Sequence, residues 1–139
     1  MALLLRRCQM AKYRFDHVHV IAPDPMKTAE FYENVLQAKR RVVSTSPDGG
    51  IVLELDLEGT MMKIRGSRTK PLLPNSPITG IEHFGVQTDN IEEAVAELKS
   101  RGVQFLREVK ESTPGVKSTF LIAPEGVLIE LIEERKPLG

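Results

Sequence analysis

Apolar and polar residues alternate along Phe15–Ile21 and again along Ile81–Gln87, the two-residue period of a half-buried strand. Each run leads past an aspartate into apolar residues at helical spacing. Met26, Ala29, Tyr32, Val35 and Leu36 follow Asp24 and Pro25; Ile91, Ala94, Val95 and Leu98 follow Asp89. Asp24 is the expected cap of the first helix, with Pro25 at its first position. Asp89 is the expected cap of the second, with Glu92 three residues on and Gly102 as the stop. Three short strands are predicted after each helix, near 40–46, 51–57 and 60–66, then near 103–109, 117–123 and 127–133. The turn sequences Ser46-Pro47-Asp48-Gly49-Gly50 and Thr113-Pro114-Gly115 separate them.

The two halves are related. His83 follows His17 by 66 residues, each inside a first strand, and Glu125-Gly126 follows Glu58-Gly59 by 67, each at the start of a last strand. One module of strand, helix and three strands is therefore written twice. The expected organisation is one domain: an N-terminal extension over 1–12, a first module over 13–66, a Pro-containing linker over 67–80, a second module over 81–134 and a tail over 135–139. In the extension, Leu3–Leu5 precede Arg6 and Arg7, the reverse of a secretory signal, and Met10-Ala11-Lys12 reads like a natural start, so residues 1–9 are expected to be dispensable.

Strand parity divides the side chains between two faces. If Ile51, Leu53, Leu55 and Leu57 meet the helix, then Glu54 and Asp56 face away from it. The same parity puts His17, His19, Lys63, Arg65, His83, Gln87 and Glu130 on that second, polar face.

Composition narrows the chemistry. Nineteen basic and nineteen acidic residues cancel over 139 positions, so no basic field draws a phosphate backbone, and nucleic acid is not an expected partner. A single cysteine, Cys8, makes neither an internal disulfide nor a cysteine zinc site and fits a reducing compartment; a cytoplasmic location is expected. No apolar run approaches the ~20 residues of a membrane helix. Walker, dinucleotide-binding, nucleophile-elbow and Cys–His signatures are missing. Gly49-Gly50 reads as a turn, and Met61-Met62 as strand packing.

The remaining signal is the histidines. A lone strand histidine is ordinarily a hydrogen-bonded side chain and nothing more. Here two of only three occupy the same place in both modules, and Glu130 interrupts an apolar last strand on the same face. Two imidazoles and a carboxylate with positions left open suit a catalytic divalent ion, so His17, His83 and Glu130 are the expected ligands. That donor set does not choose among Ni, Co, Zn, Mn and Fe(II). Glu54 is a candidate general base. Arg65 and Lys63 could receive an anionic group, His19 could contact substrate or support a ligand, and Gln87 is an expected substrate contact.

From Tyr13 to Glu134 the chain resembles the vicinal oxygen chelate superfamily, which includes glyoxalase I, methylmalonyl-CoA epimerase, extradiol dioxygenases and drug-sequestering resistance proteins. The matching segments are His17-Val-His-Val-Ile-Ala-Pro-Asp24 with Phe31-Tyr32 and Leu36, His83-Phe-Gly-Val-Gln-Thr-Asp89-Asn-Ile, and Pro124-Glu-Gly126-Val-Leu-Ile-Glu130-Leu. Ser76-Pro77-Ile78-Thr79-Gly80 and Asp89-Asn90-Ile91 are most like the epimerase-type members. The resemblance implies an α+β fold of two tandem βαβββ modules whose mixed sheet curls around a metal-binding cup. It also implies a homodimer, an expectation that exposed sheet edges support. By the same resemblance the function is lyase or isomerase chemistry on a small substrate with vicinal oxygens, through a metal-stabilised enolate, with Glu54 or Glu130 moving the proton. An Fe(II) extradiol-type dioxygenase and a non-catalytic small-molecule binder are the alternatives.

One position departs from the family. Glyoxalase and epimerase members carry a fourth ligand, Glu or Gln, where this chain has Lys63. An ammonium about 4 Å from a dication is repelled by about 8 kcal/mol at an effective dielectric of about 20. Lys63 must therefore turn to Glu54 or Asp56, lose its proton, or leave the metal weak or absent.

Overall fold

A strand too polar on one face to be buried on both needs a helix on the other, and both halves of the chain obey this. The structure, a computed structural model, describes residues 11–134, the side chain of Glu125 excepted. Cys8, the tail and all of the expected extension except Ala11 and Lys12 lie outside the described residues. The elements run β1 (Tyr13–Ala22), α1 (Pro25–Leu36), β2 (Lys39–Thr45), β3 (Ile51–Leu57), β4 (Thr60–Gly66), β5 (Gly80–Thr88), α2 (Ile91–Ser100), β6 (Gln104–Phe105), β7 (Lys110–Thr113), β8 (Val116–Ile122), a 3-10 turn (Pro124–Gly126) and β9 (Leu128–Glu134). No helix among the described residues is long and apolar enough to cross a membrane. The chain divides into two compact units. One is Asp16–Phe84; the other joins the residues up to Phe15 to those from Gly85 onward.

In the unit Asp16–Phe84 the strands lie side by side as β2-β3-β4-β1-β5. β3 is antiparallel to β2 and β4, while β1 runs parallel to β4, with His17 opposite Met61 and His19 opposite Lys63. Val20, Ala22, Leu53, Leu55 and Ile64 form one face of this sheet, and α1 covers it with Ala29, Met26 and Tyr32. Truncating a fully buried member such as Leu53 costs about 2–5 kcal/mol. Asp24 caps α1, its Oδ1 accepting from the Lys27 amide at 3.1 Å, and Pro25 opens the helix. Val35 and Leu36 were expected on the buried stripe but are 57% and 48% exposed, because the helix ends at Gln37, which turns left-handed at φ 60°. Ile51, expected under the helix, also remains exposed at the start of β3.

In the other unit the order is β5-β9-β8-β6, with β7 also paired to β8. Ile91, Ala94 and Leu131 make its core, joined by Val95, Leu98, Val109 and Ala11. The cap of α2 is one residue later than expected. Asn90 Oδ1 accepts from the Glu93 amide at 3.1 Å, while Asp89 turns to the Arg14 guanidinium at 3.4 Å. Of the strand expected over 103–109 only the two residues of β6 form, and β7 follows at 110–113. Between them the Arg107 guanidinium donates to the Ser118 carbonyl at 2.7 Å and its hydroxyl at 3.0 Å, and Thr119 Oγ1 donates to the Arg107 carbonyl at 2.6 Å. Side-chain bonds replace the ladder there, and the adjacent apolar pair Phe105-Leu106 breaks the alternation a single strand requires.

Candidate functional site

β1 presents His17 and His19 on its polar face, and β5 presents His83 on the same face of the neighbouring strand. All three are buried, at 0%, 9% and 3% exposure, and each offers a ring nitrogen within 4.8 Å of the others'. His83 stacks on His19 with centroids 4.4 Å apart and meets His17 edge-on at 5.5 Å. Burial above all, and then the neighbouring imidazole of His83, push His19 down to about 2, so it is neutral, and its buried Nε2 has no hydrogen-bond partner among the described residues. Such an atom is costly unless something binds it.

The residue before each repeated histidine is an acid that grips it. Asp16 Oδ2 lies 2.7 Å from His17 Nδ1, and Glu82 Oε1 lies 3.0 Å from His83 Nδ1. A carboxylate only accepts, so both rings donate from Nδ1, and in the neutral form of either ring the lone pair then falls on Nε2. Carboxylate–histidine pairs of this kind orient metal ligands. The bond from His17 holds the Asp16 carboxyl below its ordinary range, against burial and with help from Lys63. Glu82 is pushed up by burial but pulled further down by bonds from His83 and Arg68, to about 2. Arg68 holds Glu82 with both arms of its fork, Nη2 to Oε1 at 2.8 Å and Nε to Oε2.

The other expected site residues sit around this centre or on the second unit. Lys63 turns to Glu54, its cross-strand partner, with Nζ 3.9 Å from Oε1, while Asp56 pairs with Arg41 at 2.9 Å. Of the three routes open to Lys63, the first is taken. Glu54 also lines an open depression with Arg41, Asp56, Gly59 and Met61. Arg65 pairs with Asp48 at 2.8 Å. In the second unit Gln87 accepts from Arg14 at 3.3 Å. Glu130, half-buried on β9, lies opposite Phe120 and adds its negative charge to the surroundings of Arg107, which stacks over that ring at 5.2 Å.

The sequence reading overlooked Asp16, Glu82 and Arg68, and placed His19 beside the metal set rather than in the imidazole cluster. A signal for two of the four was present: an acid immediately precedes the histidine in both modules. Nothing marked Arg68, which lies in the stretch read as linker.

Do these residues suit the divalent ion that the resemblance implies? Three buried imidazoles, two with Nδ1 tied to a carboxylate and the third neutral with an unpartnered nitrogen, are the donor chemistry of a borderline transition metal. With Lys63 drawn to Glu54, its charge does not exclude one. The residues fit.

Known proteins are similar to this chain in sequence and in fold. The Glyoxalase/Bleomycin resistance protein/Dioxygenase superfamily matches residues 14–131. Mitochondrial methylmalonyl-CoA epimerase of Homo sapiens is 33% identical over 127 residues, which cover 85% of this chain and 72% of that protein. Among solved structures, the hypothetical protein BH1468 from Bacillus halodurans superposes with a TM-score of 0.75 at 25% identity, covering 92% of this chain and 99% of that one. Methylmalonyl-CoA epimerase from Mycobacterium tuberculosis gives 0.72 at 21% identity, over 88% of each chain, a likeness of fold. The chain therefore belongs to the glyoxalase, or vicinal oxygen chelate, superfamily and to its tandem-module α+β fold, alongside the methylmalonyl-CoA epimerase-like members, as an enzyme of isomerase type.

Proposed function

We propose that the protein is a metal-assisted epimerase of an acyl-CoA thioester of the methylmalonyl type, inverting the carbon between the thioester carbonyl and a carboxylate. The observation that carries this is the buried imidazole cluster with carboxylate-held Nδ1 atoms, on a chain whose curated relatives are named as epimerases of that substrate. His17 and His83 would hold the ion, with Glu130 or His19 as the further donor. A divalent metal bound there supplies Lewis-acid polarisation of the two carbonyl-type oxygens flanking the reacting carbon.

The chain's own groups do the rest. Epimerisation removes a proton from one face of the carbon and returns one to the other, so it needs two acid–base groups. Glu54 is the first: it borders an open depression, with Lys63 Nζ 3.9 Å from its Oε1. Glu130 is the second acid–base group when His19, and not Glu130, completes the ligand set. Lys63 and Arg65 offer cationic partners to the substrate carboxylate, and His19 and Gln87 complete the polar lining. The protein is proposed to act as a homodimer. The cytoplasm is the proposed location, and the mitochondrial interior, which the relatives' names carry, is the alternative.

The test is exchange of the substrate's α-hydrogen. Metal-free protein is incubated with one epimer of methylmalonyl-CoA in D2O, with and without Co(II), Ni(II), Zn(II), Mn(II) or Fe(II). Inversion with deuterium uptake that needs metal, and that falls by about 100-fold or more in Glu54→Gln and in His17→Ala, is the expected result. No exchange with any metal overturns the reading. Metal-dependent oxygen uptake with a catechol would put a dioxygenase in its place, and substrate binding that survives His17→Ala without exchange would put a binding protein there.

A further inference from the structure

A buried carboxylate one residue from a proposed ligand is a liability unless its charge and its direction are both fixed. Glu82 is such a group: its side chain is fully buried, and the Oε1 that accepts from His83 Nδ1 accepts from Arg68 Nη2 as well. Arg68 also reaches Oε2 through Nε, so it contacts both oxygens and the carboxylate cannot turn without breaking two charge-assisted bonds. The equivalent acid of the first module is held differently. Asp16 is 14% exposed and reaches water, and the ion pairs among the described residues give it no arginine. Arg68 comes from the segment between β4 and β5, most of whose residues are exposed, yet its own side chain is only 19% exposed.

We propose that Arg68 is a positioning residue for the metal centre: by clamping Glu82 it fixes the ring angle and the Nδ1–H tautomer of His83, and so presents Nε2 as a ready donor. This rests on the reading of the histidine cluster as a metal site, but its primary readout does not require metal or turnover. Lysine at position 68 would keep the charge and lose the fork, so the fork's contribution can be separated from the charge's.

The experiment uses the full chain with 15N-labelled histidine. In the metal-free protein, long-range 1H–15N spectra at one pH report which nitrogen of His83 carries the proton. Co(II) affinity is then measured by competition with a chelator. The wild type is expected to show the Nδ1–H tautomer of His83. Arg68→Gln is expected to give mixed tautomers and a Co(II) affinity lower by about 10- to 100-fold, with Arg68→Lys in between. An Arg68→Gln protein that keeps the wild-type tautomer and binds Co(II) within about twofold of the wild type overturns the proposal. Should Arg68→Gln fail to fold, Arg68→Lys carries the test: a shifted tautomer or weaker Co(II) binding supports the clamp, and wild-type values for both overturn it. If the wild type binds no Co(II), the metal reading has failed, and the tautomer comparison still decides whether Arg68 orients His83.

Discussion

Among single residues, Asp48 shows how much local bonding alone can do. It is exposed, yet its carboxyl is pulled down to about 2, first by the Ser46 hydroxyl, then by the Gly50 amide and the Arg65 guanidinium. A carboxyl depressed in the folded state stays ionised while the unfolded chain takes up a proton, so the loop gains stability above the ordinary carboxylate pKa and loses it as the pH falls toward 2. Ser46→Ala is expected to raise the Asp48 midpoint in an NMR pH titration toward the ordinary value of 3.8, and a midpoint left near 2 would show that the hydroxyl contributes nothing. The turn itself is backbone-driven, with the Ser46 amide bonded to the Gly50 carbonyl at 2.7 Å and Gly49 at φ 88°, so the variant should keep the loop. The pairing of acid and histidine in both modules was likewise readable at this scale, since Asp16-His17 and Glu82-His83 are adjacent letters. That the acid bonds to its neighbour's ring is a matter of rotamers, which no spacing rule supplies.

At the scale of elements, the two helices were legible because a 3.6-residue period over three turns is a long signal. Their ends were less so. Asp89 and Asn90 are both good caps; Asn90, extended at φ −145°, is the one that serves, and Asp89 pairs with Arg14, distant in sequence. Asn90→Ala is expected to lower stability by about 1 kcal/mol in urea unfolding and Asp89→Ala by less than half of that; the reverse order would restore Asp89 as the cap. The strands 51–57 and 60–66 fold with the boundaries their alternation predicts. The stretch 103–109 does not, since its pattern was short and past β6 the Arg107 carbonyl accepts from the Thr119 hydroxyl while the Arg107 guanidinium donates to the Ser118 carbonyl.

For the whole molecule, exposed apolar residues carry the homodimer proposal. Phe31, Val35 and Leu36 on α1, and Val42 and Val43 on the edge strand β2, are each 42–57% exposed within one unit. Grouped apolar exposure and an unpaired strand edge are the features that association removes. Sedimentation equilibrium is expected to give twice the 15.5 kDa chain mass at micromolar concentration, with Val43→Glu shifting it toward one; a monomer throughout would end the homodimer proposal.

Legible in the letters alone were the duplicated module, the α+β class and the two histidines at matched positions. These depend on periodicity and on repetition, and both are properties of one dimension. Folding in three dimensions was needed to reveal that His19 shares the cluster, that Lys63 pairs with Glu54, and that Arg68 reaches Glu82 from a segment without pattern. Each of these is a choice among several partners within a side chain's reach. Such choices are settled by burial and by the cost of leaving a buried polar atom unpaired, and those quantities exist only once strands distant in sequence lie side by side.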